Sequence, residues 1–157
     1  MAGTKQILYI DMDGVLVDFQ SGVDRVPPEV QREYEGRLDQ IPGVYALMDP
    51  MPGAIAAYHE FSRLFDTYIL STAPWKNPSA WSDKLLWVKR HLGGEQPDDD
   101  AYKRLILTHH KDLNRGDFLV DDHTMHGAAE FAGELILFGA PPFPDWPAVL
   151  EYLRARA

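Results

Sequence analysis

The alternation of short apolar runs with stretches of helical spacing is the feature that most restricts the fold of this chain. Five apolar runs are predicted as strands, at about 6–10, 67–70, 104–107, 118–120 and 135–138. Helical patterns lie between most of them. Strands that alternate with helices predict an α/β fold, a doubly wound and mostly parallel five-stranded sheet of the Rossmann-like type.

Four stretches place apolar residues at helical spacing. Their apolar members are Ala54, Tyr58, Phe61 and Phe65; Trp81, Leu85, Val88 and Leu92; Met125, Ala128, Ala129 and Ala132; and Trp146, Val149, Leu150 and Leu153. The third stretch is rich in small residues, which predicts a short helix packed close to the sheet. Asn77 and Asp145 are predicted N-caps, and Gly93-Gly94 is predicted to end the second helix.

The length of 157 residues predicts one domain, 1–157, with a hydrophobic core of its own. Between about 20 and 50 the pattern is irregular and polar, and Pro27-Pro28, Gly36 and Pro42-Gly43 interrupt it. We expect this stretch to form a small helical cap insertion over one end of the sheet.

Composition excludes several classes of function. The net charge of −9 and the scattered lysines and arginines argue against nucleic-acid binding. No apolar run reaches the roughly 18 residues of a membrane span, and the N-terminus lacks a signal-peptide pattern. The absence of cysteine excludes disulfides, thiolate zinc sites and a cysteine nucleophile. We therefore expect a cytoplasmic protein without a membrane partner, and a homodimer is compatible with the sequence.

Polar residues follow four of the five predicted strands. Asp11 and Asp13 follow the first, Thr72 the second and Asp121-Asp122 the fourth, while Lys111 lies a few residues past the third. Ligands of such sheets bind beyond the carboxyl ends of the strands, so these side chains should converge. Gly14 lets the chain leave the strand after Asp13, so that both aspartates can face a common site.

Each of these residues has an ordinary interpretation when it is taken alone. Asp11 and Asp13 could belong to an ordinary Asp-Gly turn, and Asp121-Asp122 to an exposed acidic turn. Lys111 could be a surface lysine, and the Thr72 hydroxyl could bond to the local backbone. Together they supply a carboxylate nucleophile, a proton shuttle, two phosphate contacts and an acidic pair. A buried acidic pair needs a cation, and magnesium suits a site shared with a phosphate. The combination predicts phosphoryl transfer.

The chain resembles the haloacid dehalogenase-like phosphatases, which have four sequence motifs in a fixed order. The matching residues here are, in that order, Asp11-Met12-Asp13-Gly14, Thr72, Lys111 and Asp121-Asp122. The resemblance runs from Ile7 to about Phe138. Within that superfamily the chain is most similar to the 5'(3')-deoxyribonucleotidases. Residues 13–19 match their first motif except at Val17, and Thr72-Ala73-Pro74 stands where they have Thr-Ser-Pro. The resemblance implies a magnesium-dependent phosphatase of the 5'-nucleotidase type that acts on a nucleoside monophosphate.

The resemblance also implies roles for the catalytic residues. Asp11 would be the nucleophile, forming an aspartyl-phosphate, and would bind magnesium. Asp13 would protonate the leaving alcohol and activate water, while its backbone carbonyl binds the metal. Lys111 would neutralise the nucleophile and the phosphate. Asp122 would bind the metal directly and Asp121 through water.

For the substrate, the resemblance implies that the Thr72 hydroxyl and the Ala73 amide hold phosphate oxygens and that Phe19 lines the nucleoside pocket. Ala73 replaces a family serine and so removes one hydroxyl. Trp75 is a candidate for the pocket rim, with a loop anchor as the alternative. His109 and His110 are candidates for substrate contact, with surface histidines as the alternative.

Three other functions share parts of this pattern. The same machinery could act on a sugar phosphate or another small phosphorylated metabolite. A phosphoryl-receiving signalling domain has a similar set of residues, but its acidic pair follows the first strand. A binding module without activity would usually have lost Asp11, Asp13 or Lys111, and all three are present.

Overall fold

A five-stranded parallel sheet organises the chain in the computed structural model, which describes residues 3–157. Its strands are β1 (Ile7–Ile10), β4 (Asp66–Ser71), β5 (Leu105–Leu107), β6 (Phe118–Asp121) and β7 (Glu134–Leu137). They lie in the order β5-β4-β1-β6-β7, and each neighbouring pair is parallel. The predicted α/β class and five-stranded sheet are confirmed.

Five α-helices and a small strand pair complete the fold. The helices are α1 (Phe19–Val23), α2 (Pro28–Glu33), α3 (Ala54–Leu64), α4 (Pro78–His91) and α5 (Trp146–Arg154), and the two-residue strands β2 (Val17–Asp18) and β3 (Asp49–Pro50) pair antiparallel. Single 3₁₀ turns lie at Leu38–Gln40, Val44–Leu47 and Lys111–Leu113. None of the described helices has the length and apolar character that a bilayer span requires.

The predicted helix boundaries follow from local chemistry. The Asp145 carboxylate accepts a hydrogen bond from the Ala148 amide and caps α5, as expected. Asn77 takes the N-cap position of α4, although its side chain bonds elsewhere. Gly93, with a φ of +85°, lies just past the end of α4.

The two faces of the sheet are covered differently. Leu8 and Ile10 of β1 belong to the main core cluster, which also contains residues of α3, α4 and α5. Tyr9 belongs to a second, smaller cluster with Ala128 and Phe131. Alternate residues of a strand point to opposite faces, so the regular helices cover one face and the segment after β6 covers the other.

The prediction of a helix at 125–132 is wrong. The segment is a series of turns, and His126 and Gly127 have φ values of +56° and +85°, which no α-helix accommodates. Its predicted close packing is nevertheless present, because Ala128 is fully buried. The predicted stripe of α4 is also wrong in one member, since Leu85 is 44% exposed and Lys84 is buried instead.

The segment between β2 and β3 packs against α4 and holds its position through polar contacts. The Asn77 side-chain amide donates to the carbonyls of Asp39 (2.9 Å) and Ile41 (3.0 Å). The Ser79 hydroxyl accepts from the Gly43 amide at 3.0 Å. The start of α4 therefore fixes the 3₁₀ turn at Leu38–Gln40 above the carboxyl ends of the strands.

Candidate active site

A cavity of about 460 Å³ opens where β1 and β4 end and where the loops after β5 and β6 begin. Most of the residues predicted for the site line it, namely Asp11, Asp13, Phe19, Thr72, Trp75 and Lys111. Additional lining residues come from the segment between β2 and β3 and from the loops after β4, β5 and β6. The parallel arrangement of the strands thus brings together residues that lie far apart in the chain.

The turn after β1 carries Asp11 and Asp13. The amides of Val15, Leu16 and Val17 all donate to the carbonyl of Met12, which bends the chain immediately after the strand. Gly14 makes this turn with a φ of +77°, and a Cβ atom there would lie 2.1 Å from the Asp122 carboxylate. A glycine is therefore required both for the turn and for the close approach of the loop after β6.

Lys111 lies at the bottom of the cavity between two carboxylates. Its Nζ is 2.5 Å from Asp121 Oδ2 and 3.2 Å from Asp11 Oδ1, and its side chain is only 1% exposed. Burial alone would lower the pKa of Lys111, but the charges of Asp11 and Asp121 outweigh it and raise the pKa. The lysine therefore stays charged and holds Asp11 in a fixed position.

At Asp11, burial favours the uncharged form of the side chain and prevails over the neighbouring lysines. The loss of solvent, together with the charges of Asp121 and Asp13, raises the pKa of Asp11 to about 7, although Lys111 and Lys84 act against this shift. A carboxylate with these neighbours gains from any further positive charge nearby.

Lys84 is a site residue that the sequence analysis missed. It projects from α4 and is fully buried, and its Nζ donates to Asp13 Oδ2 at 3.1 Å. It also donates to the Ser71 hydroxyl and the Thr72 carbonyl, both at 2.8 Å. The signal was present in the sequence, because Lys84 lies three residues after Trp81 and four before Val88, on the apolar stripe of α4.

Asp13 thus has one oxygen bound and one free. Its Oδ2 accepts from Lys84, whereas its Oδ1 is buried without a hydrogen-bond partner. Because a buried polar atom normally has a partner, the unpaired oxygen marks a place for a group that the protein does not supply. A leaving oxygen or a water molecule would meet that need.

Thr72 and Ala73 lie at the end of β4. The Thr72 hydroxyl donates to the carbonyl of Thr108 at 2.7 Å, so its proton would have to turn before it could contact a phosphate. Ala73 has a fully buried side chain, so only its backbone could reach a ligand. Their predicted phosphate contacts stay predictions.

Four side chains form a group that could hold a metal ion. One ligand atom each from Asp11, Asp121, Asp122 and His123 lies within 4.8 Å of the others. Two donors on opposite sides of one Mg²⁺ lie about 4 Å apart, so these residues fit a divalent cation. Partial burial and the charge of Asp11 raise the pKa of Asp122, which a cation would counteract.

Asp121 has little capacity left for direct coordination. Its Oδ2 accepts from Lys111, and its Oδ1 accepts from the His123 amide at 3.2 Å. The predicted direct role of Asp122 in metal binding stays a prediction.

Aromatic rings line part of the cavity. Phe19 and Tyr45 meet edge to face at 5.9 Å, and Trp75 is 79% exposed. The ring of His109 lies 5.8 Å from that of Trp75 and 6.0 Å from that of His126. His109 therefore lines the cavity, and its contact with substrate stays a prediction. His110 is exposed and does not line the cavity.

Comparisons with known proteins identify the family of the chain. The sequence profile of the family described as 5' nucleotidase, deoxy (pyrimidine), cytosolic type C matches residues 26–144. A protein of Vibrio phage KVP40, whose name assigns it provisionally to the 5'(3')-deoxyribonucleotidases, is 58% identical over 97% of this chain and 86% of its own length. The human cytosolic-type 5'(3')-deoxyribonucleotidase is 32% identical over 88% of this chain and 81% of its own length.

The fold has a counterpart among solved structures. A haloacid dehalogenase-like family hydrolase from Xanthomonas campestris superposes with a TM-score of 0.53 at 10% identity, and the match covers 98% of both chains. The predicted membership of the 5'(3')-deoxyribonucleotidases is confirmed by the family profile and these relatives, and the solved structure shows that the fold is shared. The chain belongs to the 5'(3')-deoxyribonucleotidases, a family of phosphatases with the haloacid dehalogenase-like fold.

Proposed function

We propose that this protein is a magnesium-dependent phosphomonoester hydrolase that removes phosphate from nucleoside monophosphates through an aspartyl-phosphate on Asp11. The observation that carries the proposal is the pairing of each cavity aspartate with its own buried lysine. Lys111 lies 3.2 Å from Asp11 and Lys84 lies 3.1 Å from Asp13. The Asp11 side chain also belongs to the group that could hold a metal ion and the Asp13 side chain does not, so the two carboxylates differ in their surroundings, as a nucleophile and a proton shuttle require.

In the first step, an Asp11 oxygen attacks phosphorus, and the bond from phosphorus to the ester oxygen breaks. Asp13 gives its proton to that oxygen, and the nucleoside leaves. In the second step, Asp13 takes a proton from water while the water oxygen attacks phosphorus. The bond to Asp11 breaks, inorganic phosphate leaves, and both carboxyl groups return to their starting states.

A divalent cation held by Asp11, Asp122 and the Asp13 carbonyl would offset the negative charges of phosphate and carboxylate. Lys111 serves the same end, because it is charged and buried beside Asp11. Thr72 and the Ala73 amide are proposed to hold the remaining phosphate oxygens.

The aromatic rings of the cavity support a nucleoside as the leaving group. Phe19, Tyr45 and Trp75 offer ring faces or edges to a base, whereas a sugar phosphate would need hydroxyl partners in their place. The family membership supports the same substrate class. A cytoplasmic location and a homodimer are proposed as well, the first supported by the cytosolic type of the human relative.

Two measurements test the proposed function. The first compares phosphate release from deoxyribonucleoside 5'- and 3'-monophosphates and from sugar phosphates at equal concentration, with Mg²⁺ or with EDTA. We expect Mg²⁺-dependent release and a preference for the nucleotides; equal rates on sugar phosphates would contradict the substrate.

The second measurement traps the intermediate. Borohydride reduces an aspartyl-phosphate to homoserine, so a reaction quenched during turnover should contain homoserine at position 11 and nowhere else. A quenched reaction that hydrolyses nucleotide without modification of Asp11 would contradict the mechanism.

A further inference from the structure

An imidazole lies beside the acidic residues of the proposed cation site. His123 follows directly after Asp122, and its Nε2 is 3.9 Å from Asp122 Oδ1. Its Nδ1 is 3.5 Å from Asp121 Oδ1, and its side chain is 34% exposed. A ring nitrogen of His123 also lies within 4.8 Å of the nearest carboxylate oxygens of Asp11, Asp121 and Asp122.

We propose that His123 is a direct metal ligand and that it strengthens the binding of nitrogen-seeking divalent cations, such as Co²⁺, at this site without strengthening the binding of Mg²⁺. The inference rests on the cation site that the proposed function requires, and it adds a ligand to that site.

The distances to the two aspartates determine which nitrogen binds. A metal-bound histidine usually donates its other N–H to a carboxylate, which orients the ring. Asp121 Oδ1 lies 3.5 Å from Nδ1 and can take that role, which leaves Nε2, 3.9 Å from Asp122 Oδ1, as the nitrogen that would bind a cation. The Met125 amide donates to Nδ1 at 3.3 Å, so binding through Nε2 requires this long hydrogen bond to break and Nδ1 to carry the ring proton.

The charge balance of the site supports a neutral ligand at this position. Lys111 already compensates part of the negative charge of Asp11 and Asp121. A neutral imidazole adds a strong donor without adding charge to the three carboxylates. Mg²⁺ prefers oxygen ligands and gains little from imidazole, whereas Co²⁺ binds imidazole well.

The test measures cation binding by calorimetry on the whole protein after treatment with EDTA and desalting. Wild type, His123→Asn and His126→Asn are titrated with Co²⁺ and, separately, with Mg²⁺. His126 is the matched control, because its ring lies 5.8 Å from that of His123 but outside the metal-binding group. We expect His123→Asn to weaken Co²⁺ binding by about tenfold or more and to leave Mg²⁺ binding unchanged. His126→Asn should leave both affinities unchanged.

A second readout uses the wild-type protein alone and so does not depend on how a variant folds. In the proton NMR spectrum of the Co²⁺-bound protein, a coordinated imidazole gives a strongly shifted N–H resonance that disappears in D₂O. One such resonance is expected. Its absence, or equal Co²⁺ affinity in wild type and His123→Asn, would overturn the inference.

The outcome is separable from that of the proposed function. If no phosphomonoester is hydrolysed but Co²⁺ affinity still depends on His123, the ligand assignment holds and the proposed activity fails. If nucleotides are hydrolysed with Mg²⁺ and Co²⁺ affinity is independent of His123, the activity stands and the ligand assignment fails.

Discussion

The floor and the rim of the cavity are built on different physical principles. The floor, formed by Asp11, Lys84, Lys111 and Asp121, is at most 3% exposed, and opposite charges lie in contact there. The rim, formed by Trp75, His109 and His126, consists of rings in loops, and Trp75 is 79% exposed. The floor is held by the sheet and α4, whereas the rim is held by loop contacts.

The contrast indicates where this fold allows change. A buried aspartate that loses its lysine is left as an uncompensated charge, so a floor lysine can hardly be replaced alone. An exposed ring contributes little to stability and can change with the substrate. Chemistry therefore belongs to the floor, and we expect substrate selection to belong to the rim.

The most severe test of the floor is Asp11→Asn. The amide cannot attack phosphorus, so kcat should fall by about 10⁴-fold or more, as for other removed nucleophiles. Phosphate release at saturating nucleotide measures the change, and far-UV circular dichroism checks the fold. Substantial residual activity would assign the chemistry to a residue other than Asp11.

The same substitution should stabilise the fold without cations. In the folded wild type, Asp11 keeps its proton up to about pH 7, whereas the unfolded chain loses it near 3.8. The free energy of unfolding of the wild type therefore falls as pH rises from about 3.8 to about 7. The asparagine side chain of the variant does not titrate, so the variant does not lose this stability. From about pH 4 to about pH 8 the variant should gain about 2–4 kcal/mol relative to wild type. Urea unfolding in EDTA measures this, and parallel pH profiles of the two proteins would contradict it.

Lys84→Met tests whether the second lysine belongs to the floor. Methionine fills a similar volume but leaves the Asp13 carboxylate without its cation, so kcat should fall by about 100-fold. The matched comparison is Lys89→Met, which changes a partly exposed lysine on the same helix and should leave kcat unaltered. Equal changes in kcat for the two substitutions would show that Lys84 is not part of the site.

Trp75→Ala should have the smallest effect and tests the rim. The loss of a stacking surface should raise KM for nucleotides by about 5- to 50-fold with little change in kcat. Thermal unfolding should be nearly unchanged, because the side chain is mostly exposed. A large fall in kcat with unchanged KM would show that rim and floor are not separate.

The sequence predicted the floor better than the rim because strand ends obey a geometric rule. Asp11 and Asp121 directly follow apolar runs, so the parallel sheet determines where they meet. Lys84 was not predicted, because a lysine within a helix is normally exposed and only its position on the apolar stripe indicates burial. The turns at 125–132 were not predicted, because the alanine-rich spacing favours a helix and the positive φ of His126 depends on tertiary contacts.

The central position of β1 has a consequence for how activity is acquired. The strand carrying Asp11 pairs on one side with β4 and on the other with β6, about 60 and 110 residues further along the chain. Such distant pairings form slowly, because long loops must close before they yield contacts. Neither half of the sheet alone contains the whole floor, so a partly folded chain should be inactive. Recovery of hydrolysis after dilution from denaturant would then time the completion of the sheet.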